Sequence, residues 1–181
     1  DEIGTLARTF NHMVPRLQDH LRLQRSLALA QDVQQHLLPH TPPAHPRFDI
    51  AGSSDYCDET GGDYFDYIEA PDGSLSVALG DVTGHGIASA LLMTTARALI
   101  RSAAATGGEP AAQLNAVNGQ LVKDTSEGRF MTLFLLSLAL DGMLTWAAAG
   151  HDPAIVFDPA SGEFSELENE GIPLGVAADW T

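Results

Sequence analysis

Along residues 1–38 the apolar positions recur at helical spacing. Ile3, Leu6, Phe10, Met13 and Leu17 alternate steps of three and four, the seam of a coiled coil. A second register, Leu23, Leu27, Ala30, Val33 and Leu37, follows a phase change near His20, a stutter that locally alters the supercoil. The pattern predicts one long helix or two. Pro15 would remove a hydrogen bond inside it, at about 3 kcal/mol or more, so a kink or break is expected there. One apolar stripe on so long a helix cannot be buried by the helix itself. That predicts a parallel homodimer, the alternative being a stripe packed on the chain's own domain.

Four prolines between Pro39 and Pro46 forbid regular structure, so residues 39–47 are read as a linker. His36, His40 and His45 near it are taken as solvated. From residue 48 the period shortens to that of strands. Phe48–Gly52 is a candidate first strand and Tyr64–Ile68 a second, joined through a turn at Asp72-Gly73 to Leu75–Leu79. Two helices are expected at 87–105 and 110–124, separated by Thr106-Gly107-Gly108-Glu109-Pro110. Arg97 and Arg101 fall on a solvated face of the first helix, with a phosphate clamp as the alternative role. Phe130–Leu140 is apolar enough to be a central buried strand, turning at Asp141-Gly142 into Met143–Ala149. A further hairpin pairs Ala154–Phe157 with Glu163–Leu167. Hairpins, a helix pair, then hairpins indicate an antiparallel α+β layered domain over 48–181 rather than a βαβ fold.

Composition narrows the function. The chain has 181 residues and is 44% hydrophobic, enough for one packed domain with an appendage. Its formal charge of −15, with only 9 Lys and Arg, argues against nucleic acid as a partner. Most of the acid is solubilising surface, which leaves two or three carboxylates free to act as ligands. Cys57 is the single cysteine, which excludes an internal disulfide and fits a reducing compartment; as a nucleophile it has little to recommend it. No apolar run is long enough for a membrane span. The start at Asp1 and the stop at Thr181 suggest a piece of a longer protein.

The chemistry gathers at Gly80-Asp81-Val82-Thr83-Gly84-His85-Gly86, between a strand and a helix. Asp63, 18 residues upstream in Gly61-Gly62-Asp63-Tyr64-Phe65-Asp66, can be folded beside it by the intervening hairpin. Hard divalent cations take oxygen ligands and keep waters, so a site needs few protein carboxylates. Two cations about 3.5–4 Å apart can share one carboxylate and one water that attacks phosphorus. Asp81 is the candidate bridging ligand, the Val82 carbonyl adds an oxygen, and Asp63 is the second acid, bound directly or through water. Asp63 and Asp81 are therefore both metal and catalytic candidates. The structural alternative has Asp81 capping the next helix and Asp63 in a turn. His85 and His151 are further candidates as acids. For His151, in a strand-end turn, a hydrogen-bonded structural role is preferred.

Four segments in order, Gly61–Asp66, Gly80–Gly86, Ala148-Ala149-Gly150-His151-Asp152-Pro153 and Gly171-Ile172-Pro173-Leu174-Gly175, resemble PPM-type protein phosphatases of the bacterial SpoIIE-type branch. The resemblance covers about residues 48–176. Gln34-Gln35-His36-Leu37-Leu38-Pro39 is similar to the helix that leads into such domains. The resemblance implies a layered β-sandwich flanked by helices, two Mn²⁺ or Mg²⁺ ions, and phosphoserine or phosphothreonine substrates on an anti-anti-sigma (STAS-like) regulatory protein. The family completes its metal site with aspartates in a C-terminal Asp-Gly motif. Thr181 comes before any such segment, so the fragment is expected to be weak or inactive alone. Asp1–Leu6 with Phe10–Met13 resembles the last helix of a HAMP domain. That would make residues 1–38 a signalling helix and place the domain in the cytoplasm, below a parent anchored in the inner membrane through segments outside this sequence.

Two rival readings stand beside the phosphatase. A diguanylate cyclase would explain Gly61-Gly62-Asp63-Tyr64-Phe65, but it puts an acid where Tyr64 stands and leaves Gly80–Gly86 without a role. A catalytically inactive phosphatase fold acting as a dimeric scaffold is the non-enzymatic alternative.

Overall fold

The computed structural model describes residues 2–54, 60–125, 128–168 and 171–180. Cys57 lies outside them. Helix α1 runs unbroken from Glu2 to Leu37 with Pro15 inside it. The expected break is absent. Pro15 lacks only its own N–H, and the flanking turns are exposed, so water can take up the carbonyl left without a partner.

After an irregular segment come strands β1 (Tyr64–Glu69) and β2 (Leu75–Val82), helices α2 (Ile87–Ala104) and α3 (Pro110–Asp124), then β3 (Met131–Leu138) and β4 (Leu144–Ala149). The hairpin β5 (Ala154–Asp158) and β6 (Glu163–Leu167) follows. The four-stranded sheet is antiparallel throughout, in the order β1-β2-β3-β4. This is the α+β layered architecture that the alternation of patterns predicts, and β3 is the central, largely buried strand expected. Gly73 and Gly142, at φ 83° and 93°, turn the two hairpins where glycine's freedom is needed.

One face of the sheet carries Tyr64, Ala78, Val82, Met131, Leu133 and Leu135, all buried against Met93, Ala96 and Ile100 of α2 and Leu114 and Leu121 of α3. Each of the large aliphatic side chains among them contributes roughly 1.5–3 kcal/mol by leaving water. The other face is apolar too, with Phe134 stacked on Trp146 at 5.4 Å and Leu79 52% exposed. Apolar residues on both faces are what the inner sheet of a layered fold requires. The second sheet described is the β5–β6 hairpin, on which Ile155, Phe157 and Phe164 are exposed.

The first expected strand, Phe48–Gly52, is irregular. Gly52 lies so close to Phe65 and the Tyr67 hydroxyl that a Cβ there would strike them. His45 is packed rather than solvated: its ring lies 5.1 Å from that of Phe48, and its Nδ1 accepts from the backbone N–H of Arg47.

Candidate active site

Strand pairing brings the two chosen carboxylates together. Tyr64 pairs with Gly80, so Asp63, one residue before β1, comes beside Asp81 near the end of β2. Both line a cavity of about 240 Å³ with Ser53, Ser54, Tyr64 and His151. Asp81 sits inside the strand, and the N-cap of α2 is Gly86, which makes no side-chain cap. The capping role for Asp81 is thereby excluded.

The strand carries Asp81 outward by alternation. Gly80 and Val82 point into the core, while Leu79 and Asp81 point away from the helices. Gly62 fits directly against this strand. Its carbonyl accepts from the Val82 N–H at 3.2 Å. A Cβ on Gly62 would lie 2.9 Å from Asp81 Oδ1 and would collide with the Val82 carbonyl oxygen. Only glycine lets the loop carrying Asp63 approach this closely.

Burial, reinforced by the nearby charge of Asp63, pushes the Asp81 carboxyl above its ordinary range, with His151 partly opposing the shift. His151 lies on the same cavity, and its Nδ1 is 2.9 Å from Thr132 Oγ1. Thr132 pairs with Asp81 across β2 and β3, and its hydroxyl reaches the Asp81 carbonyl at 3.4 Å. Burial lowers the His151 pKa. His151 thus has the hydrogen-bonded position preferred for it and also faces the carboxylates. His85 is exposed in the loop before α2 and does not line this cavity.

The oxygen donors suit a hard cation in kind: two ionisable carboxylates with a main-chain carbonyl nearby, and too little positive charge to neutralise them. Among the described residues no group of three or more His, Cys, Asp or Glu is placed to hold a metal ion. Asp63, Asp81 and the Val82 carbonyl would therefore supply a minority of the ligands, as Mg²⁺ in particular tolerates.

The other motifs close around the same strand ends. The Thr83 hydroxyl and amide bond to the backbone of Phe130. Gly150 abuts Pro173, and Met131 and Leu174 exchange both backbone hydrogen bonds, at 3.0 and 2.8 Å. Buried Asn118 holds Gly175 N–H and the Ala177 carbonyl, each at 2.8 Å. Gly171–Gly175 is thus an anchor between α3 and β3.

Sequence reasoning missed two features. Gln34, buried near the end of α1, donates to the Gly61 carbonyl at 2.6 Å and accepts from the Gly61 N–H at 3.3 Å. A polar residue on the apolar side of the helix, within Gln34–Pro39, was the available signal. The second feature corrects the reading of Arg97 and Arg101. Arg101 keeps a 41% exposed side chain, but neither arginine is free or lines the Asp63–Asp81 cavity. Both turn to Asp66, whose carboxylate is 3% exposed; Arg101 Nη1 reaches both of its oxygens at 2.7 Å. The Tyr64 hydroxyl donates to Asp66 at 3.1 Å, and burial raises the Tyr64 pKa.

The chain is similar to known proteins. The family model for stage II sporulation protein E (SpoIIE) matches residues 71–181. Phosphoserine phosphatase RsbU of Bacillus subtilis (strain 168) is 29% identical over 87% of this chain, which spans 47% of that relative's length. The SiaA-PP2C domain of Pseudomonas aeruginosa superposes with a TM-score of 0.66 at 25% identity, over 88% of this chain and 64% of that one. The RsbU and RsbW domains of Rv1364c from Mycobacterium tuberculosis give a TM-score of 0.56 at 30% identity, over 71% of this chain and 35% of that one. With its helix-backed antiparallel sheet and its motifs drawn to one end of it, the chain belongs to the SpoIIE family of PPM-type phosphatase domains.

Proposed function

We propose that this chain is the output domain of a signalling receptor, and that it acts as a metal-dependent phosphatase on phosphoserine or phosphothreonine of a regulatory, STAS-like protein. The observation that carries the reading is the pairing of Asp63 with Asp81 in one cavity, in a chain related to a phosphoserine phosphatase. Asp63, Asp81 and the Val82 carbonyl would hold Mn²⁺ or Mg²⁺. Such ions, when bound, lower the pKa of water and offset charge on a phosphate.

The chain's own residues do the rest. Gly62 and the β1–β2 pairing hold the two carboxylates side by side. Thr132 orients the His151 ring toward them, and the Thr83–Phe130 bonds keep the end of β2 fixed. Residues 1–38 serve as a HAMP-end signalling helix that pairs two copies, 39–47 as the linker and 48–181 as the phosphatase domain. In this reading the parent protein is membrane-anchored through segments outside this sequence. No helix among the described residues is long and apolar enough to cross a membrane.

The absence, among the described residues, of a cluster of three metal-binding side chains favours a second reading: an inactive, dimeric scaffold that binds a signalling partner. Phosphate release from a phosphoserine protein, with and without Mn²⁺, separates the two. It should be measured on this chain and on a form extended at its C-terminus. The phosphatase predicts Mn²⁺-dependent turnover, strongest in the extended form and lost in Asp81→Asn. Inactivity of a well-folded extended form, with partner binding intact in Asp81→Asn, would establish the scaffold.

A further inference from the structure

Gln34 is 4% exposed, although it is polar and stands near the end of a helix that is otherwise largely in water. We propose that it is a positioning residue of the phosphatase site, setting the place of Asp63 through the backbone of Gly61. The inference rests on the reading of Asp63 and Asp81 as metal-binding carboxylates.

A buried carboxamide is tolerated where its donor and acceptor are both paired. Here both go to one residue. Nε2 donates to the Gly61 carbonyl at 2.6 Å, and Oε1 accepts from the Gly61 N–H at 3.3 Å. The side chain thus offers Gly61 the pair of bonds that a neighbouring strand would offer. Among the described residues nothing else bonds to the Gly61 backbone. The helix end that presents Gln34 is itself held, because Leu38, one turn further on, is part of the domain's core.

From Gly61 onward the chain is fixed at short intervals. The Gly62 carbonyl accepts from the Val82 N–H, and Tyr64 pairs with Gly80. Asp63 lies between these two points. Without the Gln34 amide, the N–H and carbonyl of Gly61 lose their partners, and two adjacent glycines give the loop the freedom to turn them toward water. Asp63 would move with that loop, whereas Asp81 is set within β2. The quantity that Gln34 governs is therefore the separation of the two carboxylates, on which shared binding of a cation depends. Residues that hold a metal ligand from behind are commonly worth about 10–100-fold in metal affinity.

The test uses Gln34→Met, which keeps the length of the side chain and removes both bonds. Gln35→Met, at the exposed next position, is the control. Both are made in the C-terminally extended form. Calorimetric titration with Mn²⁺ should show affinity lowered about tenfold or more in Gln34→Met and unchanged in Gln35→Met. Hydrogen exchange in EDTA should quicken at the Val82 amide, which the Gly62 carbonyl protects. In an Asp63→Ala background Gln34→Met should cause no further loss of Mn²⁺ affinity, because its effect passes through Asp63. Thermal melting checks that the variant folds. If it does not, Gln34→Asn, whose amide is one methylene too short to reach, takes its place with the same expectations. Native Mn²⁺ affinity and native Val82 exchange in a folded variant would overturn the inference and leave the phosphatase reading standing. An undiminished loss in the Asp63→Ala background would overturn it too. If the wild-type extended form neither binds Mn²⁺ nor releases phosphate, the phosphatase reading fails and the inference falls with it.

Discussion

Asp81 is held in the folded chain under conditions that disfavour its charge. Burial and the neighbouring Asp63 raise its pKa, so the stability linked to its protonated form is fully present below the ordinary carboxylate value, about 3.9, and is lost as pH rises through the folded value. Asp81→Asn should therefore raise the Tm of the metal-free chain at pH 7, with the gain vanishing in acid. With Mn²⁺ present the order should reverse, because only the carboxylate gains from the ion; calorimetry in EDTA and in Mn²⁺ checks both. His151 has the opposite sign. Its lowered pKa contributes stability above about 6.5 that is lost as pH falls, so His151→Gln should flatten the slope of Tm against pH on the acid side. At Gly62 even a methyl would displace Val82 or Asp81, so Gly62→Ala should destabilise by about 1–3 kcal/mol in urea unfolding. That Asp63 and Asp81 come together was legible from sequence, because a hairpin turn lies between two glycine-marked strand ends. The Thr132–His151 bond was not, since it joins residues of two elements whose register no local pattern states.

At the scale of elements, the Asp66 cluster ties β1 to α2 through the interior. Removing the acid alone leaves arginine charge facing a buried surface, so Asp66→Asn should cost on the order of 3 kcal/mol, read from denaturant midpoints. An Asp66→Leu, Arg97→Met, Arg101→Met variant that also carries Tyr64→Phe should recover much of that loss. The pattern of apolar positions located β1 to β6, α2 and α3 well, because period two and period 3.6 differ plainly where turns such as Asp72-Gly73 bound them. It misjudged Phe48–Gly52, where alternation was present but the segment is irregular and its end lies against side chains of β1, and Pro15, where one missing N–H on an exposed helix was outweighed by the turns on either side. Arg97 and Arg101 were read from their own helix alone. Their partner sits on a strand 35 residues before Arg101, a long-range pairing that helix periodicity does not encode.

For the whole molecule, a long apolar stripe on α1 is left unsatisfied. Ile3, Leu6, Phe10, Met13 and Leu17 are each more than half exposed, an apolar stripe that a lone helix leaves in water. Sedimentation should find a dimer, and replacing Leu6, Phe10 and Met13 with Gln should give monomers with the four-stranded domain intact. The helix is fastened to that domain by Gln34, whose amide grips Gly61 just ahead of the loop bearing Asp63. A helix of 36 residues is about 54 Å long, so this grip is the short arm of a lever. Torque applied near Glu2 would reach the Asp63 loop through two hydrogen bonds. If the helix relays a signal as proposed, coupling free energies being reciprocal, ligand occupancy at Asp63 and Asp81 would bias the far end of the rod by the same amount. In that reading the helix would be as much a gauge of the site as a relay to it.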